Sequence, residues 1–507
     1  MFGNAMEKIV RRFPFSAWTA FVRRVVRLAI FGPSFLMHPG KLQSEDVDSS
    51  AVSRQRAMVL ARTANREKIQ TSVKQQFDAM FQGMSASAKA GYRNLTGNVY
   101  LPADFDEDVL SKLDTSRFTW PFLDTAIPTQ SRSGTWLAYG LSARPDEPTL
   151  PLQYVYRDKN YVMNCFACHG GTLYGATYPG APNTTYGLES LTESVRKAKL
   201  QLGKPLTHMD VGSLVMPLGT TNGTSNAVMF GVALMNFRDA DLNFLKDKLP
   251  AAMTHHDMDA PPWWHFHRKS HLYIDGFAQK GHKGLMQFML VRENGPDKFR
   301  KWESDFQDVY QFLEELRPPK YPLPIDLVKA ERGRVVYLQH CAECHGTYDG
   351  DRLDYPERMV PIEEIGTDRV RFDALTPQHR QAYGDSWFGD YGKQTTLSDA
   401  EGYVAPPLDG LWASAPYLHN GSVPTLWHML HPEARPPVWR RVAMGLDESL
   451  IGLVVEVLDA VPGKLSKVEK RWYFDTKVPG KSSNGHDYPS VLSEMQKEDL
   501  LEYLKTL

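Results

Sequence analysis

The chain has 507 residues, room for roughly two to four ordinary domains, and its 42% hydrophobic and 23% charged content excludes a largely disordered polymer. With 58 basic against 59 acidic residues the net charge is −1, so no global field exists to recruit nucleic acid or an acidic substrate. No run of 18 apolar residues occurs, which excludes an ordinary transmembrane helix.

Residues 1–50 read as a basic amphipathic segment followed by a linker. On a helix, Trp18, Phe21, Val22, Val25, Leu28 and Ala29 share one face, with Arg23, Arg24 and Arg27 largely off it. That pattern suits peripheral contact with a membrane surface; a helix docked on the protein, or a degenerate leader, is the plainer alternative. Arg11-Arg12 hints at a twin-arginine signal, but no clear cleavage site follows the short apolar run Phe15 to Val22. Residues 37–51 are polar and marked by Pro and Gly, a linker composition. A helical stretch is expected from about Ala51 to Met84. Residues 92–160 read as irregular rather than as a sheet core, and the Gly/Pro/Asn-rich run from Cys165 to Tyr186 as loops around a prosthetic group.

Four prolines within residues 317–325 form the clearest interdomain boundary, separating domains expected at 51–318 and 326–507. A helix from Asp326 to His340 follows. The last helix carries a capping-box pair, Ser493 and Gln496, and an apolar stripe of Leu500, Leu501, Tyr503, Leu504 and Leu507.

All four cysteines fall in two C-x-x-C-H motifs, Cys165-Phe166-Ala167-Cys168-His169 and Cys341-Ala342-Glu343-Cys344-His345. Two thiols three positions apart reach the two vinyl groups of one porphyrin, and the next residue turns its imidazole toward the iron. This points to two covalently attached haem c groups, with His169 and His345 as proximal ligands. A shared zinc site would need the pairs closer than the 173 positions between Cys168 and Cys341. A redox C-x-x-C needs no histidine at the next position in both copies. Disulfides between such close cysteines would be unusual in so large a chain. Before the second motif, Gly333 and Tyr337 share a helix face, so a second helix, the C-terminal one, is expected to cross there.

Several stretches resemble bacterial di-haem c-type cytochromes, the superfamily of cytochrome c peroxidases, the methylamine-dehydrogenase maturation enzyme and rubber oxygenases. They are Asn164 to Gly171 (NCFACHGG), Asp259 to Trp264 (DAPPWW), Gly281 to Phe288 (GHKGLMQF), Ala405 to Leu426 (APPLDGLWASAPYLHNGSVPTL) and Ser483 to Tyr488 (SNGHDY). They span roughly residues 100–507 and look closest to the rubber-oxygenase-like branch. The resemblance implies a mainly α fold: two cytochrome c-like haem domains with long loop insertions and an extra N-terminal helical segment. It also implies a periplasmic or exported location. For the C-terminal iron it suggests His486 as the second axial ligand, with His419 as the competitor; the plainer reading of either is a hydrogen-bonded structural histidine.

The N-terminal haem is then the reactive one. Residues 253–288 are its expected distal wall, containing His255, His256, Trp263, Trp264, Phe277, His282, Met286 and Phe288. Of these, Trp263, Trp264, Phe277 and His282 are the catalytic candidates, His282 being the polar one and the tryptophans a route for electrons; ordinary core packing is the competing role for the aromatics. Three functions follow, in order of preference. The first is an oxygenase adding O2 to a carbon–carbon double bond of an apolar olefinic molecule. The second is a peroxidase reducing H2O2 with electrons from a small redox protein. The third is an electron carrier without catalysis.

Overall fold

Two helix crossings, each closed over a glycine, organise the computed structural model, which describes residues 66–115, 132–248, 253–348 and 354–507. The amphipathic segment, the linker and the first part of the expected helix after Ala51 lie outside the described residues. That helix is described from its later part onward as α1, Arg66–Gly83, burying Ile69, Val73 and Phe77. The short α2, Ala86–Gly97, starts at Ser85, whose side chain accepts from the Ala88 amide.

In the first crossing α2 lies against α4, Pro296–Glu315. Proline at its first turn starts α4, and Phe299, Phe306, Val309, Phe312 and Leu313 recur at three- and four-residue spacing to make its buried stripe. Each fully buried phenylalanine contributes about 2 kcal/mol. At Gly91 an added Cβ would stand 2.2 Å from the Asp308 carbonyl oxygen, so the backbones touch where only hydrogen fits. Beside that contact, Phe312 packs on Tyr92 and on Phe166, with ring centres 5.8 and 6.4 Å apart.

The second crossing repeats the arrangement. Helix α5, Leu327–His340, is capped by Asp326, which accepts from the amides of Val328 and Lys329. Its partner is α7, Glu494–Leu504, which begins with the expected reciprocal capping box of Ser493 and Gln496. Gly333 meets the Asp499 carbonyl oxygen, where a Cβ would stand at 2.0 Å, and Tyr337 packs on Tyr503 at 5.1 Å. Arg332 locks the pair with two bonds to the Asp499 carboxylate, of 2.7 and 2.6 Å. The expected close approach at Gly333 and Tyr337 is therefore present.

The fold is helix-rich but mixed rather than mainly α, with two three-stranded and three two-stranded sheets among the described residues. Within the stretch expected to be irregular, strands β1, Tyr154–Arg157, and β2, Asn160–Met163, form a hairpin, and Phe105–Asp106 pairs with β2. Asp158 and Lys159 both take positive φ, the turn that matches strand twist. A second sheet, β3 (Val438–Asp447) between β4 (Gly452–Leu458) and β5 (Tyr473–Asp475), buries Val438, Leu446 and Val454. The pairing of β3 with β4 shifts register twice, between Arg441 and Ala443 and between Ala443 and Leu446, which breaks the alternation that would announce these strands.

The proline-rich segment after α4 is packed rather than free. The Arg317 carbonyl accepts from the Tyr178 hydroxyl at 2.6 Å, and the Pro319 carbonyl accepts from the Trp412 indole at 2.9 Å. All described residues fall within one compact unit, Arg56–Leu507. No helix among them is long and apolar enough to cross a membrane.

Replacing Gly333 by alanine forces α5 and α7 apart and is expected to cost about 1–3 kcal/mol, read from denaturant unfolding. Gly83→Ala, at a position with open space around it, is expected to change stability by less than about 0.5 kcal/mol.

Candidate functional site

Each C-x-x-C-H motif begins where one of these scaffolds delivers the chain. Strand β2 leads into Asn164, whose carboxamide accepts from the Phe166 amide at 2.9 Å and starts the one-turn helix α3, Phe166–His169. Asn183 donates to the Ala167 carbonyl from below. The second motif follows α5 directly, its histidine ending the one-turn helix α6, Ala342–His345. The Tyr337 hydroxyl donates to the Gly346 carbonyl at 2.9 Å and fastens the far side of that turn.

No disulfide joins the four cysteines. Burial, then the neighbouring thiol, pushes Cys165 and Cys341 up to about 12; burial also raises Cys168 and Cys344.

The two histidines are held alike. His169 Nδ1 lies 3.0 Å from the Pro261 carbonyl oxygen, and His345 Nδ1 lies 2.8 Å from the Pro406 carbonyl oxygen. A carbonyl can only accept, so each Nδ1 carries the proton and each Nε2 presents its lone pair. Burial lowers both, His169 to about 4, so neither ring is protonated at neutral pH. Both acceptors come from Ala-Pro-Pro, at residues 260–262 and 405–407. Each half thus has the same parts in one order: a helix with its crossing glycine, the C-x-x-C-H turn, an Ala-Pro-Pro loop and the second crossing helix. The correspondence of the two loops is not evident from either motif alone; the Ala-Pro-Pro tripeptide repeated downstream of each is the sequence signal for it.

The halves differ at the ring each histidine meets. The imidazoles of His345 and His486 have centres 6.1 Å apart at 60°. Two metal–imidazole bonds of about 2 Å, with each ring centre about 1 Å behind its nitrogen, span about 6 Å, so the pair fits an iron between them. His486 sits in left-handed backbone after Gly485. Arg435 holds this loop by donating to the carbonyls of Ser483, Gly485 and His486 at 2.6, 2.6 and 3.3 Å, and Asn420 donates to those of Gly480 and Ser482. Neither Arg435 nor Asn420 was singled out from sequence. Burial, then His345 and Arg435, lowers His486 to about 3, and its buried Nδ1 has no partner. His419 instead packs against Tyr403 at 4.8 Å. At the first site the ring stacked on His169 is the Trp263 indole, at 4.8 Å and 22°.

The other candidates separate. Trp264 is fully buried and donates from Nε1 to the Asp409 carbonyl at 2.8 Å; His265 Nε2 donates to the same oxygen at 2.9 Å, and Arg268 pairs with the Asp409 carboxylate. Phe277 stacks on Tyr273 and meets Tyr383 edge-on. His282 pairs with Glu303 on α4 at 2.9 Å, so its imidazole is engaged there. His255 bonds Asp257, which also pairs with Lys481, and the His256 Nδ1 bonds the Thr254 carbonyl. Met286 is buried and Phe288 is exposed. Among the described residues no cluster of three or more His, Cys, Asp or Glu could hold a bare metal ion. The donor set, one or two imidazoles beside a thiol pair, instead fits an iron whose equatorial ligands come from a porphyrin.

Against known families, residues 402–440 match the family described as RoxA-like, cytochrome c-like, a segment containing Pro406, His419, Asn420 and Arg435. Two proteins of Sinorhizobium fredii (strain NBRC 101917 / NGR234) are similar. The uncharacterized protein y4iM is 29% identical over 287 residues, 49% of this chain and 64% of its own length. The uncharacterized protein y4iJ is 28% identical over 258 residues, 38% of this chain and 41% of its own. The chain thus matches less than two thirds of either relative. The family match supports a cytochrome c with covalently bound haem.

Burial, opposed by Asp409, lowers His265 from 6.5 to about 4, so the unfolded chain takes up a proton there that the folded chain refuses. This contribution to stability is complete above about pH 6.5 and declines as pH falls toward about 4, by up to about 1.4 kcal/mol per pH unit. Urea unfolding across that window is expected to show a shallower slope in His265→Asn than in the parent.

Proposed function

We propose that the chain is a di-haem c-type redox enzyme, one haem held by Cys165, Cys168 and His169 and the other by Cys341, Cys344 and His345. The observation that carries this reading is the duplication: two motif histidines, each presenting Nε2 because its Nδ1–H donates to a proline carbonyl, each beside a glycine-closed helix crossing. The iron of a haem c supplies reversible one-electron chemistry, and binds a small molecule where an axial position is open.

In this reading His345 and His486 would together hold the second iron, with Arg435 and Asn420 fixing the His486 loop, and that centre would supply electron transfer. Trp263 lies on the flank of His169 and bears on no axial position; among the described residues no second imidazole faces His169 as His486 faces His345, and the first centre is assigned to the small-molecule reaction. Trp263 shields the flank of His169 from water, and Trp264 ties the first Ala-Pro-Pro loop to the second. From His169 a continuous run of bonds passes through the Pro261 carbonyl, the backbone to Trp264, the Asp409 carbonyl and the backbone to Pro406, ending on His345.

The RoxA-like match favours addition of O2 to a carbon–carbon double bond of an apolar olefinic substrate. The bonded path between the two histidines favours a second reading, a peroxidase in which a small redox protein feeds electrons through the second centre to H2O2 at the first. Because haem c is attached outside the cytoplasm in such bacteria, a periplasmic or exported location belongs to both readings. The basic amphipathic pattern of residues 1–50 supports peripheral membrane contact in this reading.

Haem content of the purified chain is expected to be two per chain, falling to one in Cys165→Ala/Cys168→Ala and in Cys341→Ala/Cys344→Ala. After reduction, carbon monoxide is expected to bind one haem in the parent and two in His486→Ala. Uptake of O2 with an olefin and no donor identifies the oxygenase; oxidation of a reduced small redox protein by peroxide identifies the peroxidase. No carbon monoxide binding in the parent would leave an electron carrier and overturn the catalytic reading.

A further inference from the structure

Near the loop that carries His486 the chain buries more positive charge than it neutralises. Arg371, Arg380 and Asp275 are 1%, 3% and 0% exposed, and both guanidiniums share one carboxylate oxygen, Asp275 Oδ2, at 3.3 and 2.9 Å. Two cations against one anion leave a surplus charge in a low-dielectric setting, which is costly unless another anion is present. Neighbouring carboxylates are already engaged: Glu363 and Asp373 with Arg369, Asp368 with the amides of Val370 and Ser482, Asp257 with Lys481. Arg371 bonds Asp275 through Nη1 only, and its buried Nε and Nη2 have no acceptor. Those two nitrogens form the edge that grips a carboxylate in two parallel bonds, as Arg332 grips Asp499 in this same chain.

The position of the cluster narrows the anion. Arg371 lies on the short helix Val370–Ala374, just beyond Gly366, which touches the backbone of Gly485 beside His486. Ile365 accepts the His486 amide at 2.7 Å. Asp275 sits beside Ile274, whose carbonyl accepts the amide of Val404, two positions before Pro406. The charge of Arg371 also bears on His419 and His256. His419 accepts, through its carbonyl, the amide of Asp259 at the head of the loop that holds His169.

We propose that Arg371, backed by Arg380 across Asp275, seats a haem propionate. The inference rests on the di-haem reading above and adds the group that neutralises this cluster. A propionate of either haem has the required chemistry, a carboxylate carried on a group bound at the site.

The test uses the holoprotein. Removing the cation in Arg371→Gln leaves the propionate uncompensated and favours the ferric form. The expected result is a shift of at least tenfold in the oxidation equilibrium of one haem, a fall of about 59 mV in its midpoint potential. Potentials resolved for the carbon monoxide-binding haem and the other one identify whose propionate is held. Arg371→Lys keeps the charge and is expected to hold the potential within threefold, while the propionate bending band in its resonance Raman spectrum shifts because a two-bond fork becomes a point donor. This variant carries the test if Arg371→Gln does not fold. Two haems per chain with unchanged potentials in Arg371→Gln, or an unchanged band in Arg371→Lys, overturns the assignment alone. A parent chain with fewer than two haems overturns the di-haem reading and this assignment with it.

Discussion

The account depends on one small interaction made twice, a proline carbonyl accepting the Nδ1 proton of a motif histidine. It fixes the tautomer, aims Nε2 and orients the ring. The Pro-Pro sequence explains why that oxygen is free. A residue followed by proline is pushed into extended backbone, where its carbonyl has no partner in its own segment. Pro261 precedes Pro262 and Pro406 precedes Pro407, so each loop offers a rigid acceptor without giving up a secondary-structure bond.

The two loops are also joined to each other. The short 3-10 helix Trp263–Arg268 begins next to Pro262, and its Trp264 and His265 both donate to the carbonyl of Asp409, three positions beyond Pro406, while Arg268 takes the carboxylate. The loops that hold His169 and His345 are thereby tied to each other through buried, hydrogen-bonded backbone.

Legibility from the sequence followed the locality of each feature. The C-x-x-C-H turns, the Gly333–Tyr337 helix face and the Ser493–Gln496 cap are each written within a few positions, and all are present as read. The matching crossing at Gly91 went unseen because β strands and loops separate α2 from its cysteines, whereas α5 runs straight into its own. The proline acceptors lie 92 and 61 positions beyond their histidines, a pairing only folding supplies. His486 and His419 were indistinguishable as letters. The structure separates them by setting one ring opposite His345 and the other against Tyr403. His282, the polar distal candidate, is drawn to Glu303, a partner on a helix that sequence periodicity did not relate to it. The valine-rich sheet at residues 438–458 was missed because its bulges erase the two-residue period.

The central claim is that two similarly built centres differ in axial ligation. The most direct test is the low-temperature electron paramagnetic resonance spectrum of the ferric holoprotein, in the parent and in His486→Ala. The account predicts two distinct haem signals in the parent, one of them a bis-imidazole low-spin species that disappears in the variant while the other persists. Two equivalent bis-imidazole signals, or a low-spin signal that survives the loss of His486, would contradict it.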